Sequence, residues 1–171
     1  MADPVVALRP YRADDADAIA RLADDRSLWR NVRDRFPHPY TRADAELFLA
    51  KVLGPEPLTG QVITVDGVLA GCGGMERYAD VERFTAEIGY WIGAPYRGRG
   101  IGTRAIRLIA DWVFANHADV HRLEAKVFAW NPASARVLEH AGFQYEGRRR
   151  AAAFKDGEFT DDLIYGRLRT D

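Results

Sequence analysis

The sequence predicts one mixed α/β domain, with helices and strands that do not alternate as regular βαβ units. Three observations predict this class. Apolar residues recur at helical spacing in the first third of the chain. Alternating apolar runs joined by Asp-Gly pairs are typical of antiparallel hairpins in the middle and at the end. Two amphipathic helical runs then alternate with strands in the second half, so helices and strands must share one core.

Composition limits the function classes. The chain has 171 residues, which suits one domain over residues 1–171, and a net charge of -1, which gives no basic field to attract nucleic acid or anionic lipid. No apolar run is long enough for a membrane span or a signal peptide, so a cytoplasmic protein is expected. With Cys72 as the only cysteine, no disulfide can form within the chain.

The first third predicts one strand and several helices. Thr41 is expected to cap a helix, with Asp44 as the partner in a capping box. An arginine-rich helical segment is expected before two prolines, Pro37 and Pro39. The predicted elements are a strand at 5–8, helices at 14–23 and 27–36, and a helix at 45–53 that stops at Gly54-Pro55.

The remainder predicts a sheet crossed by two helices. A hairpin turns at Asp66-Gly67, and a strand then runs to Gly93. The next helix should place Ile101, Ala105, Leu108 and Trp112 on its buried face. A strand at 121–130, a helix at 132–142, a strand at 143–150 and a terminal hairpin at 153–168, turning at Asp156-Gly157, complete the order.

The stretch YRGRGIGTRA, residues 96–105, joins a strand to a helix. Glycines let the backbone approach a ligand, and a helix N-terminus offers unpaired N–H groups to phosphate. The functional interpretation is a pyrophosphate cradle, and the alternative is a tight turn with solvated arginines. A P-loop would need a Gly-Lys-Ser/Thr ending, whereas Thr103 and Arg104 follow Gly102. The spacing G-x-G-x-G also departs from the dinucleotide fingerprint G-x-G-x-x-G.

The motif Arg97-x-x-Gly100-x-Gly102 resembles the acetyl-CoA loop of the GCN5-related N-acetyltransferase (GNAT) superfamily. WNPASARVLEHAGFQYEG at 130–147 is similar to the asparagine–serine segment of its RimJ/RimL ribosomal-protein N-terminal acetyltransferase branch, as are EIGYWIG and DGEFTDDLIYG. The resemblance covers essentially the whole chain. It implies a central, mostly antiparallel sheet that splays between two parallel strands, flanked by helices, and acetyl-CoA as cosubstrate with no metal.

The resemblance also implies where the cofactor binds. The backbone of strand 86–93 and Asn131 should flank the pantetheine arm, although Asn131 also suits the N-cap of the following helix. The implied cofactor-binding residues are Trp91, Ile92, Arg97, Gly98, Arg99, Gly100, Ile101, Gly102, Thr103, Asn131 and Ser134.

Two residues are candidates for catalysis. Glu87 lies where several family members place a catalytic glutamate, and it is expected either to act as a base through water or to pair with an arginine. Ser134 either assists the sulfur or bonds the helix backbone. Many members carry a tyrosine seven residues after the asparagine, but this chain has Leu138 there. A module that binds acyl-CoA without catalysis therefore stays open as an alternative.

The acceptor is expected to be a primary amine, either a protein N-terminus or a small molecule. Trp29, Arg33 and Glu87 are the candidate acceptor-binding residues, and Asp161 or Asp162 could meet a cationic acceptor. Solvated arginines, a core tryptophan and strand-surface acids are the structural alternatives. A homodimer is expected by family analogy alone.

Overall fold

A seven-stranded sheet organises the chain, in the order β1-β2-β3-β4-β5-β7-β6. The computed structural model describes residues 3–54 and 59–171. All neighbouring strands are antiparallel except β4 and β5. The strands are β1 (Val6–Arg9), β2 (Gly60–Val65), β3 (Val68–Arg77), β4 (Thr85–Ile92), β5 (Arg122–Phe128), β6 (Gln144–Lys155) and β7 (Glu158–Leu168).

The helices cover both faces of this sheet. They are α1 (Ala16–Ala23), α2 (Arg26–Trp29), α3 (Arg42–Val52), α4 (Ile101–Asn116) and α5 (Pro132–His140), and three short 3₁₀ turns lie at 13–15, 80–82 and 94–96. No helix in the described ranges is long and apolar enough to cross a membrane. This arrangement confirms the predicted mixed α/β class.

The two faces hold two separate cores. The front face, toward which Glu87 and Trp91 point, packs its apolar side chains against α1 and α3. The back face, toward which Ile88 and Ile92 point, packs against α4 and α5. Helix α4 approaches β3 so closely that a Cβ on Gly73 would lie 2.3 Å from the side chain of Ile109. A larger residue at Gly73 would therefore force the Ile109 side chain to move, so α4 packs closely on the sheet at this point.

Local signals located most element ends correctly. Thr41 and Asp44 form the predicted capping box, and the hairpins turn at Asp66-Gly67 and Asp156-Gly157. The predicted stop at Gly54-Pro55 lies partly outside the described residues. The prediction placed Ile109 and Val113 beside the buried face of α4, and both are fully buried. The helix is rotated slightly toward them, because Ile106 is also fully buried while Leu108 and Trp112 are half-buried. The strand expected at 143–150 and the first strand of the terminal hairpin form one long strand, β6.

The predicted helix at 27–36 was too long. Helix α2 ends at Trp29, and the segment that follows consists of turns. The Asn31 N–H donates to the carbonyl of Leu28, three residues back. The side-chain amide of Asn31 donates to the carbonyl of Ser27. The side chain thus replaces the hydrogen bond that would have continued the helix.

Strands β4 and β5 separate soon after they meet. They are paired over only three residues of each strand, Thr85–Glu87 of β4 with Arg122–Glu124 of β5. Beyond Glu87, β4 stays paired with β3, and β5 stays paired with β7. The sheet therefore splays open between two parallel strands, as the family resemblance implied, and Glu87 lies where the gap begins.

Candidate active site

The glycine loop presents an open helix N-terminus beside this gap. Gly98 and Gly100 both have φ of 72°, a left-handed conformation that favours glycine. A Cβ built on either residue would meet no atom within 4 Å. Gly100 is the N-cap of α4, so the first N–H groups of a 16-residue helix face open space without a side-chain cap. This is the geometry that binds phosphate.

The other loop residues contribute mainly through their backbone. Ile101 is 1% exposed and its side chain is in the back core, so only its N–H is available to a ligand. A Cβ on Gly102 would lie 3.3 Å from Val137, which fixes the spacing between α4 and α5. Thr103 is half-buried, and Arg99 is exposed beside the loop. Arg99 is therefore placed where it could meet a phosphate from solvent.

Arg97 points away from the open side of the loop. Its Nε donates to the Ile92 carbonyl at 2.8 Å, and its Nη1 donates to Ser27 Oγ at 2.9 Å. The same nitrogen lies 2.9 Å from the carboxylate of Asp25, which caps α2. In this conformation the guanidinium is engaged by groups of the protein itself. Arg97 instead joins the end of β4 and the loop to the start of α2.

The gap between β4 and β5 supplies two further groups. The backbone of Trp91 and Ile92 faces β3 on one side and the gap on the other, where no strand pairs with it in the described chain. Asn131 caps α5, since its Oδ1 accepts the N–H of Ser134 at 3.2 Å. Its amide nitrogen has no hydrogen bond within residues 3–54 and 59–171. Asn131 can therefore cap the helix and donate into the gap at the same time.

Ser134 lies against a tyrosine that the sequence analysis did not single out. The Tyr90 hydroxyl is 3.3 Å from Ser134 Oγ, and either atom can be the donor. The Tyr90 ring also lies near the first turn of α4, at 3.7 Å from a Cβ built on Gly102. Burial raises the pKa of Tyr90. This hydroxyl pair bridges β4 and α5 between the loop and Asn131. Leu138, at the position where relatives often have tyrosine, is 1% exposed in the core.

Glu87 is held by three donors on the front face. Lys126 Nζ lies 2.7 Å from one carboxylate oxygen, and Tyr78 OH lies 2.8 Å from the same oxygen. Arg33 Nη2 donates to the other oxygen at 2.8 Å. Tyr78 also contacts Glu124 at 2.9 Å and accepts from Lys126 at 2.7 Å, so its single proton is shared between two carboxylates.

This network controls ionisation at the start of the gap. Burial acts to raise the pKa of Glu87, but the bonds from Lys126, Tyr78 and Arg33 outweigh it and lower that pKa to about 2. Burial and the bonds to both carboxylates raise the pKa of Tyr78. Glu87 is therefore an ionised carboxylate at neutral pH, already in contact with two cations.

The candidate acceptor residues separate into two places. Arg33 is 52% exposed and contacts Glu87 on the front face, so these two residues do come together. Trp29 instead supports the terminal hairpin, because Lys155 Nζ lies 4.1 Å from its ring centroid and His38 stacks on it at 5.6 Å. Trp29 thus packs between the terminal hairpin and the segment that carries His38.

The two candidate catalytic residues lie on different sides of β4. Glu87 points to the front face, whereas Ser134 contacts Tyr90, which points to the back face. Only the gap connects them. Sequence reasoning missed Tyr78, Glu124 and Lys126 of the front network. The polar alternation of Glu124 and Lys126 along β5 was the available signal.

Other chemistries find little support. Within the described ranges, no group of three or more histidine, cysteine or acidic side chains could hold a metal ion. Cys72 is 3% exposed, and burial raises the pKa of its thiol to about 12. A thiol of that pKa is a poor nucleophile at neutral pH.

Comparisons with known proteins place the chain among the acetyltransferases. The 171-residue chain is 40% identical over 87 residues to the probable N-acetyltransferase YjcK of Bacillus subtilis, covering 51% of this chain and 48% of that protein. It is 32% identical to the Escherichia coli ribosomal-protein-serine acetyltransferase, covering 49% of this chain and 46% of that one. The matches thus span about half the length of both curated relatives.

A solved structure and a family model extend the match. Mycobacterium smegmatis RimJ, in complex with CoA-disulfide, superposes with a TM-score of 0.85 at 28% identity, covering 97% of this chain and 83% of that one. The family model described as an acetyltransferase (GNAT) domain matches residues 6–144. With the splayed sheet and the open glycine loop, this match shows that the chain belongs to the GNAT acetyltransferase family.

Proposed function

We propose that this GNAT-family acetyltransferase transfers the acetyl group of acetyl-CoA to a primary amine, by direct attack while both substrates are bound. The observation that carries the proposal is the gap between β4 and β5. It begins at the ionised carboxylate of Glu87, and the open N-terminus of α4 lies beside it. A phosphate-bearing thioester and a front-face amine can therefore meet there.

The groups of the chain match the parts of acetyl-CoA. The amides that follow Gly100 suit a pyrophosphate, because they face open space at the positive end of the α4 dipole. The backbone of Trp91 and Ile92, which no strand pairs with on the gap side in the described chain, and the amide nitrogen of Asn131 suit the pantetheine amides. The Ile92 carbonyl already accepts from Arg97. An N–H near Ile92 is the candidate donor to the acetyl carbonyl oxygen, which becomes an oxyanion when the amine attacks.

The amine must lose a proton before it attacks. Glu87, with a pKa of about 2, is too weak a base to hold that proton at neutral pH. An α-amine has a pKa of about 7.7–8.0 and a lysine about 10.4, so an α-amine is partly neutral without help. The absence of a strong base in this network favours an α-amine as the acceptor. Glu87 then acts by holding Arg33 and Lys126 in place and by ordering water.

Attack of the neutral nitrogen on the acetyl carbon gives a tetrahedral intermediate. The nitrogen then loses its extra proton to water, and collapse of the intermediate forms the amide and breaks the carbon–sulfur bond. The leaving thiolate then needs a proton or a hydrogen-bond donor. The Ser134–Tyr90 pair is the candidate donor, since it lies between the loop and Asn131 and takes the place of the tyrosine that Leu138 replaces. Direct attack fits the burial of Cys72, because this thiol is neither exposed nor readily ionised and so is not suited to carry the acetyl group.

A panel of acceptors tests this function. We expect thiol release from acetyl-CoA with peptides that carry a free α-amine, and slower release with lysine side chains, polyamines or aminoglycosides at pH 7. Mass spectrometry of the product identifies the acetylated nitrogen. Tight acetyl-CoA binding without release for any amine would instead support a module that binds acyl-CoA without catalysis, the reading that Leu138 keeps open.

A further inference from the structure

Asp162 is a buried carboxylate on β7 that the proposed chemistry does not use. Its side chain is only 7% exposed. No hydrogen bond to either oxygen is formed within residues 3–54 and 59–171. The nearest cation, Arg149 Nη1, lies 3.7 Å away on a side chain that is 58% exposed. Among the described residues, only Arg30 Nε is a side-chain polar atom that is cut off from solvent without a hydrogen bond. The oxygens of Asp162 therefore keep some contact with solvent and can be reached by a ligand.

The neighbouring acid shows the contrast. Asp161 accepts the N–H of Ala151 at 2.6 Å and also bonds the guanidinium of Arg148. It lies on the opposite face of β7 and stabilises the irregular part of β6. Asp161 is therefore fully engaged in the fold, whereas Asp162 keeps hydrogen-bonding capacity for another group.

The register of the sheet places Asp162 at the acceptor side of the gap. Asp162 lies opposite Phe128, the last residue of β5 and three residues before Asn131. Paired residues of neighbouring strands share a face, so Asp162 is on the front face with Glu87 and Lys126. The charges of Glu87 and Asp162 both act to raise the pKa of Arg33, against its burial, which places the two carboxylates around one guanidinium.

We infer that Asp162 binds the acceptor as an ammonium when it docks on the front face, and that the ammonium then loses a proton to water before its nitrogen enters the gap and attacks. An ammonium has three donors and would supply the hydrogen bonds that Asp162 lacks. Arg33 and Lys126 both donate hydrogen bonds to Glu87, and Arg122 donates one to Glu124. Of these three front-face carboxylates, Asp162 is the one without a hydrogen bond from a cation in the described residues, since Arg149 lies 3.7 Å away. The inference rests on the proposed function and names the acceptor as a cationic amine that docks on the front face.

Binding to the CoA-loaded protein tests this inference without turnover. The probes are a hexapeptide with a free N-terminal serine, the same peptide with an acetylated N-terminus, and spermidine. We expect the wild type to bind the free serine peptide or spermidine. The acetylated peptide should bind at least about tenfold more weakly than the free peptide, because a hydrogen bond to a charged group contributes about 1.5–3 kcal/mol. Asp162→Asn should weaken the free amine by a similar factor and leave acetyl-CoA affinity unchanged.

Glu158→Gln is the matched control. Glu158 is on the same strand and face and is 64% exposed. The Glu158→Gln variant should bind the free and the acetylated peptide as the wild type does. Equal binding of the free and acetylated peptides, or equal binding by wild type and Asp162→Asn, would overturn the inference. So would the failure of both amines to bind the wild type. The comparison of free and acetylated peptides needs no variant, so it holds even where Asp162→Asn unfolds.

The outcome is separable from that of the proposed function. Amine binding that depends on Asp162 but is accompanied by no thiol release would retain the ammonium site and reject catalysis. If thiol release occurs and Asp162→Asn leaves the KM for the amine unchanged, the acetyltransferase activity stands and the ammonium site is rejected.

Discussion

The Arg97 guanidinium lies 2.9 Å from the Asp25 carboxylate and thereby ties the glycine loop to the first turn of α2. Asp25 also accepts the N–H groups of Ser27 and Leu28 as the N-cap of that helix. One carboxylate thus contacts both the glycine loop and the first turn of α2, which precedes Arg33. A substitution of Asp25 should therefore affect the binding of both substrates.

Asp25→Ala should reduce the free energy of unfolding by about 1–2 kcal/mol, because it removes a helix cap. It should also weaken acetyl-CoA binding, since Arg97 loses its charged partner. Calorimetry and denaturant unfolding measure the two effects. Asp44→Ala is the control, because Asp44 belongs to the capping box of α3, which does not contact the loop. Equal acetyl-CoA affinity in the two variants would show that the ion pair does not support the loop.

Glu87→Gln should reduce turnover by the same factor across pH 6–9, because Glu87 is ionised over that whole range. It should also destabilise the fold by about 1–3 kcal/mol at neutral pH, as expected for the loss of hydrogen bonds to a charged group. Parallel pH–rate profiles for wild type and variant check the first expectation. A loss confined to neutral pH would instead identify Glu87 as the general base.

Stability against pH gives a second test of this network. The folded pKa of Glu87 is lowered from its ordinary value of 4.5 to about 2. Its contribution is therefore complete above pH 4.5 and is lost as the pH falls toward 2. The difference in unfolding free energy between wild type and Glu87→Gln should be constant above that range and shrink below it. A constant difference down to pH 2 would contradict the lowered pKa.

Gly100→Glu should abolish acetyl-CoA binding, because it puts a side chain and a negative charge where the α4 amides face open space. The left-handed φ of 72° adds a strain of about 1–2 kcal/mol. Gly67→Glu carries the same kind of strain, with φ of 80° and open surroundings in a distant turn. Calorimetry should find acetyl-CoA affinity lost only in Gly100→Glu. Comparable affinity in both variants would reject the cradle.

Ser134→Ala and Tyr90→Phe should each lower kcat by about 100-fold or more, the size expected when a proton donor is removed. Acetyl-CoA affinity should change little, since the ring of Tyr90 and the cap from Asn131 both remain. The double variant should be little slower than the slower single variant, because the two hydroxyls act as one unit. Wild-type rates in both single variants would leave the pair with a structural role only.

Local sequence signals explain how much of the fold could be predicted. The Thr41–Asp44 box and the two Asp-Gly turns specify their own backbone geometry over a few residues, and all three were located correctly. The excess length predicted for α2 came from a competing interaction, because the Asn31 side chain takes the carbonyl of Ser27. Helical periodicity alone does not contain that information.

The site was harder to predict, because its contacts join distant segments. Glu87 meets Lys126 only after β4 and β5 align in parallel, and it meets Tyr78 only through the β3–β4 register. The direction of the Arg97 side chain also depends on where α2 begins, since it contacts Asp25 and Ser27. Residue types suggested a base at Glu87, while the tertiary contacts lowered its pKa to about 2.

The most direct test of the account follows labelled acetyl through a single turnover. Protein loaded with radiolabelled acetyl-CoA is mixed with the free-amine peptide, quenched at intervals and separated into protein, peptide and cofactor. Direct attack predicts that label passes to the peptide α-amine and that none is covalently attached to the protein at any time. Label that first accumulates on the protein, or that never leaves acetyl-CoA with any amine of the panel, would contradict it.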